Sequence, residues 1–238
     1  MIDQRPFHFK HFSLLHHQST MKVGTDAMLL GCWIDIDGAT QILDIGTGCG
    51  ILSLLLAQRS DALIDAVEID EITANEATLN FKNSPWCRRL MCYQDDIKQF
   101  AVNTNKKYDL IISNPPFFTS DFKTKTERKN LARHTDTLDF ESLIEVVKKL
   151  LQPGGRFALV LPFTEGQQFV KIAEKHNFYE MARMEIIPVV GKTCNRLNMV
   201  FSDNIAQSFE IESFTIRGLD GQFTDQYNNL LQDFYLGL

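Results

Sequence analysis

The 238-residue sequence has no apolar run near the roughly 18 residues of a membrane span, and its opening residues, MIDQRPFHFK, lack the apolar stretch of a signal peptide. A cytoplasmic location with no membrane partner is the expectation. The five cysteines, Cys32, Cys49, Cys87, Cys92 and Cys194, form no CxxC pair, so neither a disulfide framework nor a zinc site is suggested and the thiols are read as buried and free. His16 and His17 are adjacent but have no matching carboxylate or thiolate cluster, and no metal is expected. Positive charge is also not in excess. With 24 Lys and Arg against 30 Asp and Glu the net charge is −6, which argues against a protein that coats nucleic acid over its whole surface but leaves room for a local cationic face. Internal repeats and low-complexity tracts are absent.

What is present is ordinary globular material, 44% apolar and 23% charged, in a length that suits one α/β core. From Gln41 onward, short β-rich runs alternate with helical patterns, the signature of βαβ units. The spacing predicts strands over Gln41–Gly46, Leu63–Asp70, Leu90–Gln94, Tyr108–Ser113, Arg156–Leu161, Ala182–Pro188 and Leu197–Ser202. Helices are predicted over Ile51–Arg59, Glu71–Asn83, Phe140–Leu151 and Gly166–His176, with a PGG turn ending the third. The expected architecture is α/β, a seven-stranded, mostly parallel, doubly wound sheet with helices on both faces. Residues 1–40 form an N-terminal extension packed on that core, and 41–238 form the main domain.

The stretch LDIGTGCGILSLLLA is an apolar strand, an acid, glycines at alternate positions, and a helix. Gly46, Gly48 and Gly50 let the chain turn sharply so that a ligand can lie against backbone N–H groups at the helix start. A dinucleotide fingerprint would need G-x-G-x-x-G/A, and neither Gly46 nor Gly48 starts one, since the last position falls on Ile51 or Ser53. The pattern D-x-G-x-G-x-G instead resembles motif I of Rossmann-like class I methyltransferases, which implies S-adenosylmethionine as cofactor and a role for Asp44 toward its methionine portion. The second strand, LIDAVEID, ends in acids, and Glu68 is the carboxylate placed to accept from both ribose hydroxyls, ahead of Asp70. On the third, Asp96 followed by Ile97 suits the adenine amino group. Turns and helix caps are the alternative use of each of these residues taken singly.

The fourth strand runs into YDLIISNPPFF, which sets Asn114, Pro115, Pro116 and Phe117 at a carboxyl end of the sheet, where open α/β folds bind ligands. The prolines remove backbone donors and leave carbonyls free to accept. An exocyclic amine is a poor nucleophile because its lone pair is delocalised. Acceptors at its two N–H bonds, the Asn114 side-chain oxygen and the Pro115 carbonyl, favour a more tetrahedral nitrogen, and they gain strength as positive charge develops. Phe117 offers a face for stacking a base.

With FHFKHF and MKVGTDAMLLGCW ahead of the glycines, then DAVEID, SPWCRRL, DLIISNPPFF, ARHTDTLDF and IRGLDGQFTDQYNNLLQDFYL, nearly the whole chain resembles the bacterial tRNA-Val adenine N6-methyltransferases. The resemblance implies methylation at N6 of adenine 37, beside the anticodon of tRNA-Val. It implies that Asp44, Gly46, Gly48, Gly50, Glu68, Asp96, Ile97 and Asn114 hold S-adenosylmethionine, that Lys22, Thr25 and Asp26 line the mouth of its pocket, and that Asn114 to Phe117 present the base. It gives no role to Lys192 or Arg196, and no obligate protein partner is evident.

Two cationic stretches suit a tRNA partner. Between Asp3 and Asp26 there is no carboxylate, while Arg5, His8, Lys10, His11, His16, His17 and Lys22 are interleaved with Phe7, Phe9 and Phe12; the phenylalanines are read as core and the cations as free to face RNA. After NPPF, Lys123, Lys125, Arg128, Lys129 and Arg133 are set against Asp121 and Glu127, placed to grip phosphates flanking a flipped base. Other acceptors that present a planar amine remain open: guanine N2 of rRNA, adenine of DNA, or a protein glutamine. So does a non-catalytic, cofactor-binding subunit.

Overall fold

The computed structural model describes residues 5–19, 22–115, 138–205 and 209–237. A short antiparallel ribbon, β1 (Phe7–His8) with β2 (Ser13–Leu14), leads to α1 (Thr25–Trp33). The chain then alternates through β3 (Gln41–Ile45), α2 (Ile51–Arg59), β4 (Leu63–Glu68), α3 (Glu71–Lys82), β5 (Leu90–Gln94), α4 (Ile97–Asn103) and β6 (Tyr108–Ser113). It continues with α5 (Phe140–Leu150), β7 (Leu151–Pro162), α6 (Phe163–Lys175), β8 (Tyr179–Val189), β9 (Arg196–Ser202), β10 (Glu210–Arg217) and α7 (Asp225–Leu231).

Eight of these strands form one sheet in the order β10-β8-β9-β7-β6-β3-β4-β5, parallel throughout except for β9, which runs against both β7 and β8. From β3 the chain winds outward to β4 and β5, then crosses back and places β6 and β7 on the other side. β3 and β6 are therefore neighbours from which the chain winds in opposite directions, the switch point of the sheet, where open α/β folds bind ligands. Ser113 ties the two strand ends together by donating Oγ–H to the Ile45 carbonyl at 2.8 Å.

Strand residues alternate between two cores, as the pleat requires. Ile42, Ile112, Ala158, Val160 and Val200 pack under α1, α2 and the N-terminal ribbon, whereas Leu43, Ile111, Phe157, Leu159 and Met199 pack under α4, α5 and α6. Every residue of α2 from Ile51 to Ala57 is buried, because this helix is enclosed by the sheet on one side and α1 on the other. The approach is close: a Cβ at Gly31 of α1 would lie 2.7 Å from Leu55 Cδ1. Helix starts follow local chemistry. Asp139 caps α5 by accepting from the Ser142 N–H at 2.7 Å, and Lys148 and Lys149 occupy its last turn, where the helix dipole favours cations. Phe9 and Phe12 are buried and stacked at 4.5 Å, with Tyr235 and Trp86 as further ring neighbours, so the N-terminal ribbon is fastened to the core through its phenylalanines.

The seven strands expected from the sequence are all present, and an eighth, β10, is added outside β8. Its sequence, EIESFTIR, buries Phe214 alone and carries charge at Glu210, Glu212 and Arg217, which suits a sheet edge and hides the strand pattern. The PGG segment does not form a separate turn before a strand starting at Arg156. Strand β7 begins directly at Leu151 and passes through Pro153–Gly155, with Gly154 at φ +76° and a register shift against β6 between Tyr108 and Leu110.

Candidate active site

The loop between β3 and α2 folds back on β4: Gly46 and Thr47 both donate N–H groups to the Val67 carbonyl, at 2.9 and 3.2 Å. Gly46, Gly48 and Gly50 all take positive φ, +69°, +58° and +89°. The loop has two different sides. A Cβ at Gly46 or Gly48 would meet nothing within 4 Å, so that side is open to a ligand, whereas a Cβ at Gly50 would lie 2.5 Å from the Phe81 ring and is excluded by the core.

Asp44 braces the loop from below. It is fully buried, and its Oδ2 accepts from Thr47 Oγ at 2.6 Å, Ser53 Oγ at 2.7 Å and the Ser53 N–H at 3.2 Å, tying the loop to the first turn of α2. Its Oδ1 is buried without a partner. Burial pushes the carboxyl up to about 6; the hydrogen bonds from Thr47 and Ser53 oppose that rise, and the charge of Glu68 adds to it.

At the end of β4, Glu68 accepts from the Gly48 N–H through Oε2 and from the Asp70 N–H through Oε1, each at 3.0 Å. Asp70 is committed elsewhere. It caps α3, its Oδ1 accepting from the Thr73 N–H at 2.9 Å and Oγ–H at 2.7 Å, and those bonds hold it below the usual carboxylate range. Between the two acids Ile69 is 61% exposed, an apolar side chain at the mouth that the sequence does not single out, since exposure cannot be read from type alone. At the end of β5, Asp96 caps α4 through Oδ1, at 2.6 Å from the Lys98 N–H, and Ile97 is buried as the first residue of that helix. A bond from the Asp95 N–H to the Glu68 carbonyl, 3.1 Å, joins the two strand ends.

Asn114 follows the last residue of β6. It is half-buried, and its Oδ1 is sealed from solvent with no hydrogen-bond partner. A buried acceptor left in this condition is costly unless something donates to it. Pro115 beside it is half-buried. Pro116 and Phe117, and the basic residues Lys123, Lys125, Arg128, Lys129 and Arg133, lie outside the described residues.

Lys22 and Thr25 are exposed at the approach to α1, whose N-cap Gly24 makes no side-chain cap bond. Asp26 is half-buried and paired with Arg196 of β9, Nε to Oδ2 3.0 Å, which pins the start of α1 above the end of β7. That pair gives Arg196 a position the sequence alone did not reveal, because its partner is 170 residues away. Lys192 lies in the turn before β9 and is exposed. The structure thus brings Asp44, the three glycines, Glu68, Asp96, Ile97 and Asn114 to the carboxyl ends of four adjacent strands, and sets Asp26 further along the same end of the sheet.

Open glycine backbone, a half-buried carboxylate at the next strand end and unpaired buried oxygens at Asp44 and Asn114 form a set suited to a nucleoside cofactor carrying an amino-acid tail. The methyltransferase small domain model matches residues 17–183. The chain is similar to the tRNA1(Val) (adenine(37)-N6)-methyltransferase of Flavobacterium psychrophilum, 40% identical over 97% of this chain and 99% of the relative. The protein of that name from Parabacteroides distasonis is 36% identical, with 97% of each chain covered. Among solved structures, a predicted O-methyltransferase from Agrobacterium tumefaciens superposes with a TM-score of 0.68 at 19% identity, covering 88% of this chain and 96% of that one. A glycopeptide N-methyltransferase solved with S-adenosylmethionine gives 0.55 at 14% identity, over 79% and 97%. These two share the fold.

Proposed function

Since this chain belongs to the tRNA1(Val) (adenine(37)-N6)-methyltransferase family and is an S-adenosylmethionine-dependent methyltransferase, we propose that it methylates N6 of the adenine beside the anticodon of tRNA-Val, in the cytoplasm. The observation that carries this reading is the Asn114 side-chain oxygen, buried and unpaired just past the end of β6, beside the end of β3. An amine donor is what it lacks.

The loop of Gly46, Gly48 and Gly50 would receive the cofactor against its open side, with Glu68 accepting from the ribose, Asp96 and Ile97 beside the adenine, and Asp44 below. Lys22, Thr25 and Asp26 would line the mouth. When bound, S-adenosylmethionine supplies a methyl group made electrophilic by its sulfonium. Asn114 Oδ1 and the Pro115 carbonyl would hold the two N–H bonds of the target amine, turning its lone pair toward that methyl, and Phe117 would stack the flipped base. The bound cofactor would supply the methyl for the new N–C bond at the expense of its own C–S bond, and the acidic product nitrogen would lose its proton to water. No general base is required of the protein.

For the partner, the exposed His8, Lys10 and His11 of the N-terminal ribbon and the basic stretch Lys123 to Arg133 would supply phosphate contacts. The test is mass spectrometry of nucleosides from total tRNA incubated with the enzyme and labelled cofactor. Labelled N6-methyladenosine mapped to position 37 of tRNA-Val is the expected product; labelled N2-methylguanosine, or no transfer to tRNA, would overturn the proposal.

A further inference from the structure

Helix α3 starts shortly after Glu68, and its buried side carries two polar groups one turn apart, Glu76 at 3% exposure and Asn80 at 2%. Polar side chains that deep must be spent on specific partners. Theirs lie mostly in the irregular strap Leu15–Ser19, whose backbone has no sheet or helix of its own to satisfy it. Glu76 accepts from the Gln18 N–H at 2.9 Å through Oε1 and, through Oε2, from the Ser19 N–H at 2.9 Å and the Ser19 hydroxyl at 2.5 Å. His17 Nδ1 stands 3.4 Å from Oε1.

Asn80 reaches further. Its Oδ1 accepts from the Leu15 N–H at 2.8 Å, and its single NH₂ group donates both to the Leu15 carbonyl and to the Cys49 carbonyl, each at 2.8 Å. Cys49 sits inside the glycine loop, between Gly48 and Gly50. One buried amide therefore joins the strap, which leads on to Lys22 and α1, to the loop with the open backbone. Phe81, the next residue of the same helix, is the ring that bars a Cβ at Gly50.

We propose that Asn80 and Glu76 are positioning residues for methyl transfer: Asn80 sets the glycine loop for the cofactor, and Glu76 holds the strap, which carries His16 and His17 of the carboxylate-free N-terminal stretch, in register for the tRNA. The inference rests on the reading of that loop as the cofactor cradle. It goes beyond that reading by assigning function to two side chains that touch neither substrate nor cofactor.

Asn80→Asp keeps the size and the bond from the Leu15 N–H but turns an oxygen toward two carbonyls. It is expected to raise the KM for S-adenosylmethionine about tenfold or more, since a neutral hydrogen bond is replaced by a repulsion, with kcat at saturating cofactor within about twofold of wild type. Ser19→Ala removes one bond to Glu76 without disturbing the core. It is expected to raise the KM for tRNA about two- to fivefold and leave the cofactor KM unchanged. Thermal unfolding is followed for both. If both KM values stay at wild-type level in both variants, whether or not Tm falls, the two side chains are structural only and the proposal fails. Glu68→Ala is the control for the loop itself: undiminished cofactor affinity there would remove the cradle reading, whereas weakened binding in Glu68→Ala with none in Asn80→Asp would remove only this inference.

Discussion

Gly48 donates its backbone N–H to the Glu68 side chain at 3.0 Å, so the open loop after β3 is tethered to the carboxylate at the end of β4. The same carboxylate is the one we propose accepts from the ribose hydroxyls. On that proposal Glu68 serves the loop's shape and the ligand together, and removing it should cost more than the ligand's own hydrogen bonds.

Glu68→Ala is expected to weaken cofactor binding by at least ~1.5–3 kcal/mol, the scale for a hydrogen bond to a charged group, with tRNA affinity little changed. Glu68→Gln, which retains an acceptor for Gly48, should lie between that variant and wild type. Titration calorimetry with S-adenosylmethionine checks both. Asp70 does not substitute for it, since its Oδ1 is occupied by Thr73 at the start of α3.

Asn114→Ala is expected to cut kcat by on the order of 10²–10³ while cofactor and tRNA affinities stay near wild type, because positive charge on the amine exists only during transfer. Single-turnover kinetics at saturating cofactor measure this directly. A variant with an unchanged single-turnover rate would reduce NPPF to a structural turn.

If Asp44 lies beside the cofactor as proposed, its carboxyl, pushed up to about 6 by burial, should give cofactor binding a pH dependence of definite sign. Above that value Asp44 is charged and would attract the cationic ligand; below it the proton would have to be displaced, so the ligand's affinity should fall with falling pH, by up to about tenfold per unit. Asp44→Asn should flatten the profile between about pH 5 and 7, read by calorimetry in matched buffers, the interval lying about one unit either side of that value.

Replacing Lys123, Lys125, Arg128 and Lys129 by Ala should weaken tRNA binding and flatten its salt dependence, by about 0.7–0.9 in logarithmic slope for each phosphate no longer neutralised, without touching cofactor affinity. Filter binding across a salt series is the measurement. An unaltered slope would mark the stretch as solvated surface.

Much of the fold was legible in the sequence because strands buried on both faces are nearly continuous apolar runs, and Gln41–Ile45 and Tyr108–Ser113 stand out in that way. The glycine spacing was legible because few residue types take positive φ, and NPPF because adjacent prolines remove backbone donors as no other residue does. What escaped has physical reasons. Strand β10 is charged because it forms an edge, and the nine-residue α1 lacks a side-chain cap to announce it. Glu76 and Asn80 are polar types that nothing local marks as buried, and the strap lying over them comes from far earlier in the chain, Leu15 being 65 residues from Asn80. Asp26–Arg196 joins residues far apart in sequence, which no local pattern encodes.

Asn198 lies on β9 opposite Val160 of β7. It is fully buried on the side of the sheet shared with Val160 and Val200, under α1, and neither atom of its amide has a hydrogen-bond partner. In the unfolded chain water satisfies both atoms; on folding that is lost and no described protein group replaces it. The cost of a buried unsatisfied polar group is ~1–3 kcal/mol. Leucine has nearly the same shape and no hydrogen-bonding atoms, so Asn198→Leu should fill the site without a cavity and remove that cost. For a chain of this size, Tm should rise by ~2–4 °C for each kcal/mol regained. Differential scanning calorimetry of the variant against wild type gives the sign at once. A lowered Tm would mean that the amide is satisfied in solution, by a buried water or a shift of α1, and that its polarity contributes to the fold.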